Sequence, residues 1–499
     1  MKVLLVTGRL AGERVRNIAD KHGCRVYVAP VNVASLITPR QIIVGLKNAR
    51  GIDLILVPGL MRGDVKDIEY NLDIPTFRGP KDVADLDYVL ENLGKLELSK
   101  TIPACEILST ELREKALDKI REVDTSAYRD DLIKRPGNIL IGELGVGWDF
   151  PQRIVAEIVG VENLSMRELA EQGRYLVSSG ADIIDIGMTD ADPGRVEEAI
   201  DDLKPLGVSI SLDTMESENI ERALECGVSM VMSFDGELIE AFRDVKTPSV
   251  IIPGRDELPP SPSERVGMLE ENMELAKKRG FAKLIPDPIL MPPNTGLLDS
   301  LAAYREFSMR HPHEYPVLMG AGNVTELLDA DSVGINTLLC SLASECNASL
   351  IFTVEASDKT RGSVSELNVA TKMMYLSRIR GSAPKDLGLD LLKLKEKRLK
   401  RPTLDEVSKG KQIIAEPSKG YKQDIMGYFR IFVEPERIRC VHYHKGGAGA
   451  SIVGRNAREI TDTLLSMDLV SALEHALYLG RELQKAEFAL EYGKSYVQG

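Results

Sequence analysis

The sequence predicts an α/β protein: a central (β/α)8 TIM barrel with an N-terminal small parallel α/β domain and a small C-terminal α+β domain. Three observations lead there. Eight short apolar runs between residues 138 and 353 alternate with helical patterns. Several of these runs end in one polar side chain beside Gly or Pro, where parallel α/β proteins hold ligands. The opening residues also alternate strand and helix, whereas 428–444 reads as a hairpin followed by helices.

Bulk properties set the outer limits. At 499 residues, about two to four domains are expected. The expected parts are a Rossmann-like domain with a helical linker (1–130), the barrel (131–380), a basic linker (381–420) and a small domain (421–499). Hydrophobic residues make up 43% and charged residues 28%, an ordinary soluble composition. A net charge of −13 gives no general electrostatic reason to bind nucleic acid or an acidic membrane surface. No apolar stretch approaches the roughly 20 residues of a membrane span, and the N-terminus lacks a signal-peptide pattern. The six cysteines form no C-x-x-C. Neither a zinc site nor a disulfide framework is expected, and the cytoplasm is the expected compartment.

In the N-terminal domain, strands are expected at 2–7, 25–29 and 52–57, with helices at 11–21 and 39–49. The turn Thr7-Gly8-Arg9-Leu10-Ala11-Gly12 lacks G-x-G-x-x-G and reads as a structural βα turn rather than a phosphate loop. Residues 99–134 are charged and helical in pattern.

The barrel strands are expected at 138–143, 182–187, 208–213, 230–233, 249–253, 283–287, 316–320 and 349–353. Helices fall at 165–179, 194–204, 217–226, 237–243, 262–280, 297–310, 334–347 and 363–377. About 240 residues suit a closed barrel. Ser217 reads as a helix cap, and Gly227 as a helix stop.

The strand ends then supply Glu143, Asp185, Asp213, Ser233, Asp287, Asn323 and Glu355. Asp185 lies within its strand, which suits a bond to a neighbouring strand as well as it suits a ligand. Asp213 ends a strand and leaves capping to Ser217. Asp287 lies between two prolines, which fix its backbone and remove nearby donors. Asn323 follows a Gly-Ala-Gly turn. A carboxylate suits a ring edge with adjacent N–H donors, and an amide can bond a ring nitrogen in either protonation state. Together they suit a flat, donor-rich heterocycle such as a pterin. Three ligands for a metal are not apparent at the strand ends, and no metal is expected.

Gly180-Ala-Asp-Ile-Ile-Asp-Ile-Gly187, Asp192-Pro-Gly194 and Ile210-Ser-Leu-Asp213-Thr214 resemble the second and third strands of dihydropteroate synthase. Glu143-Leu-Gly145-Val-Gly147-Trp148-Asp149-Phe150 is similar to that enzyme's first-strand motif Asn-Val-Thr-Pro-Asp-Ser-Phe, with only Asp149 of its polar residues kept. Asp287-Pro-Ile-Leu-Met-Pro, Gly320-Ala-Gly-Asn323-Val-Thr325 and Gly334-Ile-Asn336-Thr-Leu-Leu resemble segments of the methyltetrahydrofolate corrinoid methyltransferases. The whole arrangement resembles the archaeal dihydropteroate-synthase-related proteins of the pterin-binding barrel superfamily.

The resemblance implies pterin contacts from Asp213, Asp287, Asn323, Ser233 and Asp185. Asp287 would take the pyrimidine edge. Asn323, the candidate catalytic residue, would bond at N5. The implied cofactor is a reduced pterin of the tetrahydromethanopterin or tetrahydrofolate type. Glu143 and Asp149 are candidate first-strand contacts. The synthases use Ser-Arg-Lys-Ser at the seventh strand and Arg-x-His at the eighth. Here the corresponding residues are Gly322-Asn323-Val324-Thr325 and Thr353-Val354-Glu355, so their diphosphate-binding groups are missing. Lys359 and Arg361 are the candidate replacements as anion contacts. Three functions follow: N5-methyl transfer, synthase-type condensation with an arylamine, and non-catalytic pterin carriage. The expected partners are a corrinoid or other methyl-acceptor protein and a second copy of the chain.

In the tail, the basic run 391–402 reads as a solvated helix face. Strands are expected at 428–433 and 438–444, and helices at 456–468 and 470–492. Gly446-Gly-Ala-Gly449 reads as a flexible turn, and His442, His444 and His475 as surface histidines.

Overall fold

The computed structural model describes residues 1–255, 258–397, 413–415 and 423–499. The chain forms two compact units, Met1–Arg398 and Leu399–Gly499.

The first unit opens with four parallel strands, Val3–Thr7, Arg25–Val28, Leu54–Val57 and Thr76–Arg78. Their order in the sheet is second, first, third, fourth. The Thr7–Gly12 turn uses its donors internally. The N–H groups of Arg9 and Leu10 donate to the carbonyls of Val31 and Asn32 at 2.8 and 3.1 Å. A Cβ at Gly8 would lie 2.8 Å from the Asn32 carbonyl oxygen, so glycine is required by close packing of the backbone. Three helices, Ala104–Ile107, Ser109–Glu122 and Ser126–Leu132, lead to the barrel.

The barrel consists of Arg153–Ile158, Ile183–Gly187, Ser209–Asp213, Met230–Phe234, Ser249–Ile251, Leu284–Pro286, Val317–Gly320 and Ala348–Val354, numbered here one to eight. All recorded pairings between them are parallel. Strand eight pairs with strand one, and strands six and seven lie side by side, so the ring is nearly closed. Helices follow the strands as the apolar periodicity predicts, from Met166–Ser179 through Ser363–Arg380. Ser165 and Glu168 form a capping box on the first. Asp192 caps the second by accepting from the Arg195 N–H. Ser217, by contrast, is the first residue of its helix rather than its cap. The Thr214 hydroxyl accepts from the Glu216 N–H instead.

One expected barrel strand is misplaced. Residues 138–143 are not strand one: Ile139–Ile141 and Leu144–Val146 form an antiparallel hairpin. The Ser209 hydroxyl donates to the Ile141 carbonyl at 2.9 Å, and the Lys283 ammonium to that of Leu140 at 3.3 Å. Both donors stand where strands begin, so the hairpin plugs the N-terminal end of the barrel. Ile141 and Val146 are fully buried against Val155, Ile183, Met230 and Leu350. A short apolar hairpin and a buried parallel strand have the same local hydrophobicity and differ only in their partners.

The second unit carries an antiparallel sheet of Tyr428–Glu434, Arg437–His444 and Gly447–Gly454, with helices Ala457–Ser466 and Leu473–Glu491. The glycine-rich segment is thus a third strand. His442 and His475 are buried, contrary to expectation. His442 Nε2 lies 2.7 Å from the Met426 carbonyl, and His475 Nδ1 lies 3.1 Å from Asp424. Of the basic run, the structure describes 391–397, which is irregular rather than helical. The remainder lies outside the described residues. Among the described residues, no helix is long and apolar enough to cross a membrane.

The plug makes a stability prediction. Ile141→Ala removes a fully buried side chain at the N-terminal end, which typically costs about 2–5 kcal/mol. A lowered urea midpoint for the first unit is expected, with ligand binding at the opposite end unchanged in the folded protein.

Candidate functional site

Four carboxylates gather at the C-terminal mouth of the barrel: Glu157, Asp185, Asp213 and Asp287. Glu157 and Asp185 are register partners on strands one and two, and Asp213 ends strand three. One carboxylate oxygen of each of these three lies within 4.8 Å of the others. The expectation of no three-ligand cluster at the strand ends is therefore corrected. Asp185 is fully buried and accepts from the Ser211 hydroxyl on the neighbouring strand. Asp213 bonds Ser233 at the end of strand four.

Burial, then mutual repulsion, sets the acidity here. Desolvation and the Asp213 charge push Glu157 up to about 7. Asp185 is raised by burial, then by Asp213 and Glu157. Asp213 is raised by burial, against the pull of Ser233 and Arg255. Arg255 is steered by Asp235 at 3.1 Å and by the Ser233 carbonyl at 3.1 Å.

Asp287 stands just beyond strand six. The Tyr304 hydroxyl, from the following helix, donates to its Oδ1. The Ile289 N–H donates to the same oxygen at 2.8 Å, closing an Asx turn. Burial pushes Asp287 up to about 6, although both donors pull it down. Asn323 lies in a single helical turn, Gly322–Thr325, immediately after strand seven. Its Nδ2 donates to the Leu290 carbonyl at 2.8 Å, which couples it to the Asp287 loop. Arg265, itself buried, ties that loop to the segment after strand five, donating to the Ile289 and Pro259 carbonyls.

Two backbone outliers mark the mouth. Ser233 and Ile289 both have φ of 64°. A β-branched residue in the left-handed region is strained by about 1–3 kcal/mol, and such strain persists where the surroundings enforce it.

The remaining expected residues lie elsewhere or are engaged. Glu143 sits exposed in the hairpin near Arg129, and Asp149 pairs with Arg135 at 2.7 Å, both at the plugged end. Glu355 accepts from the N–H groups of Gly362 and Val364 at 2.8 and 2.9 Å and from the Tyr175 hydroxyl, so it caps the last barrel helix. Lys359 pairs with Asp329 at 2.8 Å, and Arg361 is exposed in the same loop. Sequence alone does not single out Glu157, because the apolar hairpin at 139–146 imitates strand one. The apolar run Arg153-Ile-Val-Ala-Glu157-Ile158, followed by the Ser165 capping box, was the available signal.

Residues 158–334 match the pterin-binding enzyme model. The chain is 33% identical to the uncharacterized protein MJ0107 of Methanocaldococcus jannaschii, over 100% of this chain and 98% of that one. The chain belongs to the pterin-binding enzyme family. As a family member it is also 25% identical to dihydropteroate synthase of Staphylococcus haemolyticus, over 33% of this chain and 73% of that protein. The dihydropteroate synthase structure from Thermus thermophilus covers 47% of this chain and 97% of its own, at 20% identity and a TM-score of 0.37. Residues 423–499 match the model PterinBD-DUF4346, and 1–81 match DUF6513, a family of unknown function. Residues 139–146 pair as the hairpin and Arg153–Ile158 forms strand one, so the likeness of 143–150 to a first-strand motif does not mark strand one of this barrel.

Tyr304 should govern the acidity of Asp287. Tyr304→Phe removes a donor to the charged form, so the Asp287 carboxyl should titrate above about 6. Carboxyl carbon NMR of the two proteins measures this directly. An unchanged or lower midpoint would exclude the control assigned to Tyr304.

Proposed function

We propose that the chain binds a reduced pterin at the C-terminal mouth of the barrel and hands on the one-carbon group from N5. One observation carries this reading: the paired fixing of Asp287 and Asn323. Tyr304 and Ile289 occupy Oδ1 of Asp287, which leaves Oδ2 for the adjacent N–H donors of a pyrimidine edge. The Leu290 carbonyl occupies Nδ2 of Asn323, which leaves its Oδ1 as an acceptor. In transfer, the acceptor's electron pair forms the new bond to the methyl carbon. The N5–C bond breaks, its pair stays on nitrogen, and a proton from solvent joins N5. An amide oxygen facing that N–H is stabilising mainly as the proton arrives, and this favours the transition state.

Asp213 and Ser233, bonded to each other, would meet the rest of the ring, with Asp185 behind them. The ligand is of the tetrahydromethanopterin or tetrahydrofolate type. The acceptor is a corrinoid or another methyl-accepting protein, and the working form is a homodimer. The second reading is synthase-type condensation of a pterin-CH2-diphosphate with an arylamine. Charge developing on a leaving diphosphate calls for cationic donors. Asn323 stands at strand seven, and Lys359 is already paired with Asp329. Both facts favour methyl transfer.

Asp287→Asn turns an acceptor into a donor facing donors, a loss of a charge-assisted bond. Affinity for N5-methyl-tetrahydropterin should fall by about tenfold or more in calorimetric titration. For the native protein, affinity should also fall as pH drops below about 6, where the Asp287 carboxyl takes up a proton. Unchanged affinity in both experiments would reject this role for Asp287.

Asn323→Ala should slow single-turnover loss of the methyl group more than it weakens binding. Enzymatic condensation with an arylamine, insensitive to that substitution, would instead establish the synthase reading. Tight binding with neither reaction would leave a carrier.

A further inference from the structure

Two cavities meet at Arg14, which lines both. The larger, about 350 Å3, lies beside Arg380, where the last barrel helix ends. That helix starts at the mouth, so this cavity belongs to the plugged end. The smaller, about 230 Å3, lies at the C-terminal ends of Val3–Thr7 and Leu54–Val57, beside Thr7, Pro58 and Lys81. These are the first and third strands, between which the strand order of the N-terminal sheet reverses. Open parallel sheets take ligands at that crevice. We infer that the two cavities together bind one organic diphosphate of nucleotide size, its phosphoryl end among Arg14, Lys115 and Lys119 and its body toward the strand-end crevice.

The charge balance selects an anion. Three carboxylates line the larger cavity, and each already has a basic partner. Asp85 pairs with Arg380 at 2.8 Å, Asp386 with Lys397 at 3.0 Å, and Asp87 with His22 at 2.6 Å. The lining cations are not matched in return. Among the described residues, Arg14 and Lys119 have no carboxylate partner, and Arg14 donates to the Arg380 carbonyl at 3.2 Å. The Lys115 ammonium stands 4.2 Å from the centre of the Tyr88 ring, with the exposed Glu91 carboxylate 3.8 Å away. Lys115 and Lys119 lie one turn apart on Ser109–Glu122, and like charges so spaced repel. An anion between them and Arg14 replaces that repulsion with charge-assisted hydrogen bonds, for which guanidinium and ammonium groups suit phosphate.

A second observation points the same way. Arg380 is held by Asp85 through Nη2 at 2.8 Å and by the Asp386 carbonyl through Nη1 at 3.0 Å. Its Nε–H is buried without an acceptor. A buried donor left unpaired is costly until an acceptor reaches it, and this one belongs to a side chain that lines the cavity.

The walls set the ligand's size and its remaining chemistry. Leu112, Leu376 and Leu387 give the larger cavity an apolar side, and Leu56, Val57 and Val83 do the same for the smaller. Volumes of this order, with apolar walls and a few converging charges, suit an organic ligand rather than a free inorganic ion. The Thr7 hydroxyl, 3.4 Å from the Gly8 carbonyl, is the polar group that the body would meet at the strand end.

The test is a calorimetric titration of the full chain with ADP, without any pterin, followed by hydrogen exchange on the loaded protein. The result therefore stands apart from the pterin reading. One saturable site is expected, competed by inorganic pyrophosphate and not by adenosine, and weakened by added salt. Arg14→Ala and Lys119→Ala should each weaken ADP binding by about tenfold or more. Lys278→Ala, an exposed cation on another helix, should leave it unchanged. Protection should appear on Gly12–His22 and Ser109–Glu122 and not at the barrel mouth, and this readout on the native protein holds if a variant fails to fold. The inference is overturned if ADP finds no saturable site, if both folded variants bind it as the native protein does, or if the protection falls at the mouth.

Discussion

Glu157 and Asp185 oppose each other across neighbouring strands, and Asp213 stands on the next. Repulsion between them would drive the strand ends apart if nothing resisted it. The barrel resists through its continuous parallel pairing, through the Ser211 bond to Asp185, and through Ser233 and Arg255 on Asp213. Burial then raises the pKa of all three. The mouth is thus held as a low-dielectric acidic bowl, where electrostatic contacts with a ligand count for more than in water.

Precision at that mouth comes from loops tied to rigid elements. Asp287 is oriented from the helix side by Tyr304 and from its own turn by Ile289. Arg265 then fixes the Ile289 carbonyl, and Asn323 reads the neighbouring Leu290 carbonyl. The left-handed φ of Ile289 falls at this pair of contacts. Strain is kept where the chain has to present several polar groups at once.

The two ends of the barrel divide the work. At the N-terminal end the hairpin buries Ile141 and Val146 and closes the core. Trp148 packs on His313 at 4.3 Å, and the Arg378 guanidinium lies 4.1 Å from the Trp148 ring centre. These contacts are apolar or cation–π and stabilise the fold. The carboxylates that converge on one point all lie at the other end. A ligand can therefore act on the mouth without disturbing the plug that holds the strands in register.

The alternating apolar runs determined the barrel, its helices and the placing of Asp213, Asp287 and Asn323, because strand and helix periods are local properties of the chain. The Asp287 segment between prolines was legible for the same reason. Three features were not. The hairpin at 139–146 and strand one at 153–158 are both short apolar runs, and only their pairing partners distinguish them. Gly447–Gly454 is too glycine-rich to read as a strand, yet its backbone completes a sheet against Arg437–His444. Glu157 looked like one more charge among many. Its partners and its raised pKa depend on residues 28 and 56 positions away in sequence, at 185 and 213. Side-chain type is written in the chain, but desolvation and charge proximity exist only once the strands lie side by side.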